Sequence, residues 1–223
     1  VRYDILTIFP KLIAAEISEG IVKRAIEKGL IEVHIHDLRG WTTDIRKTVD
    51  DRIFGGGPGM LLQIEPIYKA LKGIGVYPDR PDTTKILLTS ARGETWNQNT
   101  AHKYAVEVER IVIICGRYEG VDFRVIEHLI DAEISIGDYI LTGGELAANI
   151  VLDSTARLLP GVLGNENSLI DESHQPGNLD AIEYPQYSRP AVFETAEGQS
   201  WSVPEVLMNG NHGEIAKWQK ANS

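Results

Sequence analysis

Apolar and polar residues alternate across residues 2–9 and 31–38, the two-residue period of a strand, and the first run stops at Pro10. Between them, residues 11–28 carry apolar side chains at spacings of three and four, which predicts one helix ended by Gly29. Residues 85–90 and 110–115 are short runs of Ile, Leu and Val, the composition of strands covered on both faces. Helical periodicity returns at 64–71, 97–107, 121–129 and 145–158, and a further short strand precedes Ser135. Strands alternating with helices predict an α/β fold with a mostly parallel sheet.

After Pro160 the pattern changes. Residues 161–190 are rich in Gly, Pro, Asn and Ser without a sustained apolar period, which reads as a mobile linker. Residues 191–223 contain a short apolar run at 203–208 and then Asn211 as a helix cap before residues 214–220, so a small helical domain is expected there. The expected division is residues 1–160, 161–190 and 191–223.

Composition narrows the class. The chain of 223 residues is 43% hydrophobic and 24% charged, ordinary for a globular protein, and no apolar run reaches the ~20 residues of a membrane-spanning helix. Val1 opens directly on strand-like sequence without the pattern of a secretory signal, so a cytoplasmic location is expected. A single cysteine, Cys115, excludes an internal disulfide, and six scattered histidines make no cysteine-histidine zinc framework. His34 and His36 share a strand face without a third ligand. The net charge of −10 argues against unspecific binding to a phosphate backbone, which needs clustered Lys and Arg. Any nucleic acid must be held by a few placed groups.

Three loops carry candidate chemistry. Gly55-Gly56-Gly57-Pro58-Gly59-Met60 allows close backbone approach to a ligand, but has neither a Walker ending nor the dinucleotide-binding spacing; a flexible turn explains it equally well. Cys115-Gly116-Arg117-Tyr118-Glu119-Gly120-Val121-Asp122 follows a buried strand, where open α/β sheets bind ligands. Its glycine, aromatic ring and carboxylate suit an organic cation or a nucleoside; capping of the next helix by Glu119 and Asp122 is the plainer alternative. Ser135-Ile136-Gly137-Asp138-Tyr139-Ile140-Leu141-Thr142-Gly143-Gly144-Glu145 offers apolar side chains beside exposed backbone, a surface for an adenine ring.

These segments, in this order and with DSTARLLPGVLGN at 153–165 and NGNH at 209–212, resemble the bacterial tRNA (guanine-N1)-methyltransferases over nearly the whole chain. CGRYEG combined with SIGDY is far more distinctive than any single glycine loop. The resemblance implies a deep trefoil knot, a homodimer whose donor sites are completed by the partner subunit, S-adenosylmethionine as donor, and Mg²⁺ with no ligand assignable. It implies a tRNA substrate with guanosine at position 37, beside the anticodon. In matching positions, Leu88, Thr89, Ser90, Gly116, Tyr118, Glu119, Ile136, Gly137, Asp138, Tyr139, Ile140, Leu141, Gly143 and Gly144 would surround the donor. The family usually has Ser-Pro where this chain has Ser90-Ala91.

Methylation at guanine N1 requires a base for the N1 proton and a cation for charge developing at O6. The resemblance assigns the cation to Arg157. Where the family has an Asp-Ser-Phe triplet, this chain reads Asp171-Glu172-Ser173-His174; aligning Ser173 makes Glu172 the base, with Asp171 the alternative. Gly55, Gly56, Gly57, Ser168, Arg189, Asn209, Gly210, Asn211 and His212 match the tRNA-contacting positions, and neutral amides can read base edges without a basic surface. Competing expectations are a knotted ribose methyltransferase and a catalytically silent RNA-binding protein.

Overall fold

A computed structural model of the chain describes residues 1–169 and 172–223. The chain divides into two compact units, Val1–Glu166 and Asn167–Ser223.

The first unit is an α/β layer structure. Its sheet has the order β2-β1-β6-β5-β7, built from β1 (Arg2–Thr7), β2 (Glu32–Asp37), β5 (Thr84–Thr95), β6 (Arg110–Cys115) and β7 (Ala132–Ser135). Every neighbouring pair is parallel. Period-two alternation sends side chains of β6 to opposite faces: Ile111, Ile113 and Cys115 join one buried cluster, Val112 and Ile114 the other. Helices cover both faces, as a parallel sheet requires. On one lie α1 (Pro10–Glu16), α2 (Gly20–Glu27), α4 (Gln98–Glu107) and α6 (Glu145–Ala156), and on the other α3 (Ile64–Gly73) and α5 (Phe123–His128).

The single helix expected over 11–28 is two. Gly20 has φ +70°, in the left-handed region, and Glu19 is extended, so the ladder breaks after Ile17. The apolar spacing continues across the break because both pieces bury residues against the same face: Ile13 from α1, and Val22 and Ala25 from α2. The strand expected over 85–90 runs on to Thr95. After an irregularity between Thr89 and Glu94, residues 94 and 95 pair again with Ile134 and Ser135 of β7.

α6 settles the geometry below the sheet. Tyr3 and Thr155 share a hydroxyl hydrogen bond of 2.8 Å, and Thr7 Oγ1 donates to Glu145 at 2.7 Å, so α6 runs antiparallel beneath β1. The chain thus leaves the edge strand β7, crosses the ends of β5 and β6, and returns under β1. β3 (Asp50–Arg52) and β4 (Met60–Leu62) form an antiparallel hairpin that carries the glycine-rich turn at its tip. No helix is long and apolar enough to cross a membrane among the described residues.

In the second unit, residues 173–183 carry local hydrogen bonds: His174 N to Ala181 O (2.8 Å), Asn178 N to Gln175 O (2.9 Å) and Glu183 N to Ser173 Oγ (2.9 Å). The part expected to be helical contains a hairpin of β8 (Val192–Glu194) and β9 (Ser200–Ser202) before α7 (His212–Ala221). Three-residue strands are too short to show a period, which is why the sequence pattern did not reveal them.

Candidate functional site

The loops leaving the carboxyl ends of β5, β6 and β7 enclose a cavity of about 460 Å³, within the range of small-molecule sites. Leu88, Thr89 and Ser90 line it from β5; Gly116, Tyr118 and Glu119 from the loop after β6; and Ile136, Gly137, Tyr139, Ile140, Leu141, Gly143 and Gly144 from the loop after β7. Asp138, named from the same motif, is exposed and does not line the cavity.

Close approach of the loops depends on glycine at position 144. Its amide donates to the Gly116 carbonyl at 2.8 Å, and a Cβ there would lie 1.7 Å from Thr89 Oγ1. That hydroxyl accepts from the Gly116 amide at 3.1 Å, so it has a role of its own and is not free to move aside.

Arg117 fastens the two larger loops together. Its Nε donates to Glu145 Oε2 at 2.8 Å, its Nη1 donates to the Thr142 carbonyl at 3.0 Å, and its guanidinium lies 4.5 Å from the centre of the Phe9 ring. Glu145 is buried and takes its other bond from Thr7. A charge buried here is tolerated because Nε and Nη2 of Arg117 both donate to Oε2, the latter at 2.7 Å, and Thr7 satisfies the other oxygen. Sequence reasoning missed this pair: 28 positions separate the residues, and neither periodicity nor motif spacing brings them together.

Tyr118 adopts φ 60°, and the turn it makes presents the backbone of residues 119–122 to β4. Glu119 N donates to Met60 O (3.1 Å), Leu62 N to Gly120 O (3.0 Å) and Asp122 N to Leu62 O (2.9 Å). The hairpin bearing Gly55, Gly56 and Gly57 is thereby moored to the cavity loop. Burial, reinforced by the Asp50 carboxylate, raises the Tyr118 phenol. Asp122 caps α5, accepting from Arg124 N at 3.0 Å, so the capping alternative holds for Asp122. Cys115 is buried, and burial together with the Glu145 charge pushes its thiol well above the ordinary range, which suits packing and not a nucleophile.

The other named residues belong to other elements of the chain. Arg157 follows the last turn of α6, twelve residues beyond Glu145, a separation of about 18 Å along a helix. Glu172 is half-buried in the second unit, and Asp171 lies outside the described residues. Ser168 sits in a short 3-10 turn and Arg189 is exposed. Asn209, Gly210, Asn211 and His212 form one construction at the start of α7: Asn211 Oδ1 accepts from Gly213 N at 3.2 Å, and Asn209 reaches Glu214 at 2.8 Å. His36 bonds Asp4 at 2.7 Å, and His34 lies beside Glu32. Among the described residues no three His, Cys, Asp or Glu side chains cluster as a metal site.

The family model described as tRNA (Guanine-1)-methyltransferase TrmD matches residues 1–223. A tRNA (guanine-N(1)-)-methyltransferase of Chloroflexus aurantiacus is 49% identical over 220 residues, covering 99% of this chain and 82% of the relative. The enzyme of the same name from Chloroflexus aggregans is 47% identical with the same coverage. The crystal structure of tRNA (m1G37) methyltransferase from Aquifex aeolicus superimposes with a TM-score of 0.77 at 41% identity, covering 98% of this chain and 87% of that one. With fold, loop constellation and sequence in agreement over its length, the chain belongs to the tRNA (guanine-1)-methyltransferase family.

Proposed function

We propose that this chain transfers the methyl group of S-adenosylmethionine to N1 of guanosine 37 in tRNA. The observation that carries the reading is the cavity at the ends of β5, β6 and β7, built by the loops that define the family resemblance. Its residues fit the donor: Ile136, Ile140 and Leu141 supply apolar surface for a purine, Glu119 supplies negative charge for a cationic ligand, and Gly116 and Gly144 keep backbone where side chains would intrude. Bound there, S-adenosylmethionine supplies an electrophilic methyl group on a sulfonium.

In this reading Glu172, or Asp171 beside it, removes the N1 proton, and Arg157 stabilises charge at O6. The roughly 18 Å between the two ends of α6 separates Arg157 from the cavity of its own chain. A homodimer in which Arg157 reaches the other copy's cavity resolves this. Half-exposed apolar residues on α1 and α6 (Leu12, Leu146 and Ile150) provide the kind of surface such an interface buries. The passage of residues 136–144 across β5 and β6 before α6 turns under β1 supports the deep trefoil knot. Residues 1–160 would form the catalytic domain, 161–190 a linker carrying the base, and 191–223 a tRNA-binding domain, in the cytoplasm. Mg²⁺ belongs to the same reading, but no cluster of ligating side chains among the described residues assigns it a place.

The test is methyl transfer from labelled S-adenosylmethionine to unmodified tRNA with guanosine 37, against the same tRNA with adenosine there. Label is expected as 1-methylguanosine in the first alone; no label in either, with the donor bound, would leave a silent RNA-binding protein. A second expectation concerns Gly144→Ala. The added methyl displaces Thr89 or the Gly116 loop, and overpacking of about 1–3 kcal/mol corresponds to donor affinity falling about tenfold or more. Calorimetry with S-adenosylhomocysteine checks this, and unchanged affinity would show that donor binding does not depend on the close approach of these loops.

A further inference from the structure

Glu133, on β7, lines the cavity, and its two carboxylate oxygens differ in their surroundings. Oε1 pairs with Arg92 Nε at 3.2 Å, whereas Oε2 is buried without a hydrogen-bond partner. The Arg92 guanidinium lies 5.2 Å from the centre of the Phe123 ring. Arg92 is 63% exposed and Glu133 only 14%, so the pair turns its cation outward and leaves its acceptor in the wall. Buried acceptors in folded proteins are almost always satisfied, and leaving one unmade is costly. An orphaned carboxylate oxygen on a residue that lines the cavity therefore marks where a ligand's N–H docks. Because Arg92 balances the charge, the ligand's donor need not itself be a cation.

We propose that Glu133 is a specificity residue of this cavity: Oε2 accepts a hydrogen bond from an amino group of the bound donor, and Arg92 positions the carboxylate. The inference rests on the reading of the cavity as the S-adenosylmethionine site. That donor carries two amino groups, one on the purine and one on the methionyl chain, and either supplies the required chemistry. The same ion pair anchors the strand end where Ala91 stands in place of the family's proline.

The test is calorimetric binding of three probes to the full chain and to Glu133→Gln: S-adenosylhomocysteine, S-inosylhomocysteine, which lacks the purine amine, and 5′-methylthioadenosine, which lacks the methionyl amine. Arg92 has donors only, so it holds the glutamine's carbonyl oxygen and turns the amide NH₂ toward the ligand's N–H. S-Adenosylhomocysteine is expected to bind about tenfold more weakly to the variant. The loss should vanish for the probe lacking the recognised amine. A penalty equal for all three probes, or none at all, overturns the proposal. If Glu133→Gln does not fold, Arg92→Met leaves the carboxylate unheld and should show the same probe-selective loss; a loss uniform across probes again overturns it. Failure of the unaltered chain to bind any probe would instead remove the donor assignment, and this proposal with it.

Discussion

Arg157→Ala is expected to slow methyl transfer by roughly 10²–10³-fold, the usual effect of removing one group that stabilises a developing oxyanion, with donor affinity unchanged. The larger consequence is one of geometry. Arg157 and Gly144 flank opposite ends of α6, and in the proposed dimer Arg157 of one copy would serve the cavity of the other. Arg157→Ala and Gly144→Ala, co-expressed with different tags and purified through both, give mixed dimers. Such a dimer keeps one intact cavity, in the Arg157→Ala copy, facing one intact arginine from the Gly144→Ala copy. With the donor well below saturation, activity of about half the unaltered level is expected, against about a tenth or less in either variant alone. If Arg157 acted on its own chain's cavity, the mixed dimer would have no complete site and no recovery. Failure to isolate any mixed species would contradict the dimer itself.

The largest effect on stability is expected from Asp4→Ala, at the opposite end of the sheet. Asp4 is fully buried, with Arg2 donating at 2.8 and 2.9 Å, Arg110 at 2.8 Å and His36 at 2.7 Å. Burial alone would raise its carboxyl; the bonds from His36, Arg2 and Arg110 outweigh burial and hold it well below the usual carboxylate range. Removing it leaves three cationic or polar groups turned toward an empty site, at a cost of about 3–5 kcal/mol. Denaturant unfolding at neutral pH measures this, and a difference below about 1 kcal/mol would show that the cluster relaxes into solvent. The sign with pH follows from the depressed folded value: the stabilisation is fully present above about pH 5 and is lost progressively as pH falls below it. The gap between Asp4→Ala and the unaltered chain should therefore narrow in acid. A gap that widened would reverse the assignment.

Both predictions turn on relations between residues far apart in sequence, and that is where legibility ended. The parallel strands were legible because residues 85–90 and 110–115 are apolar on both faces, a demand a buried sheet makes locally. The cavity loops were legible because close approach requires glycine at particular positions, and Gly116 and Gly144 mark themselves. The break at Gly20 was not, since two helices packed on one face keep the spacing of one. The short hairpins of β3 with β4 and β8 with β9 escaped for want of length.

By itself, then, the sequence determined the layer architecture, the family and the loops that carry chemistry, because each is written in local periodicity or in contiguous motifs. Only the tertiary structure decided which charges meet. Arg92 finds Glu133, and Arg110 and His36 join Arg2 on Asp4, because a parallel sheet places residues of different strands side by side, while Arg117 finds Glu145 because the loop after β6 meets the start of α6. It also decided that α6 holds Arg157 away from its own cavity, since a helix separates its two ends by its length whatever their roles.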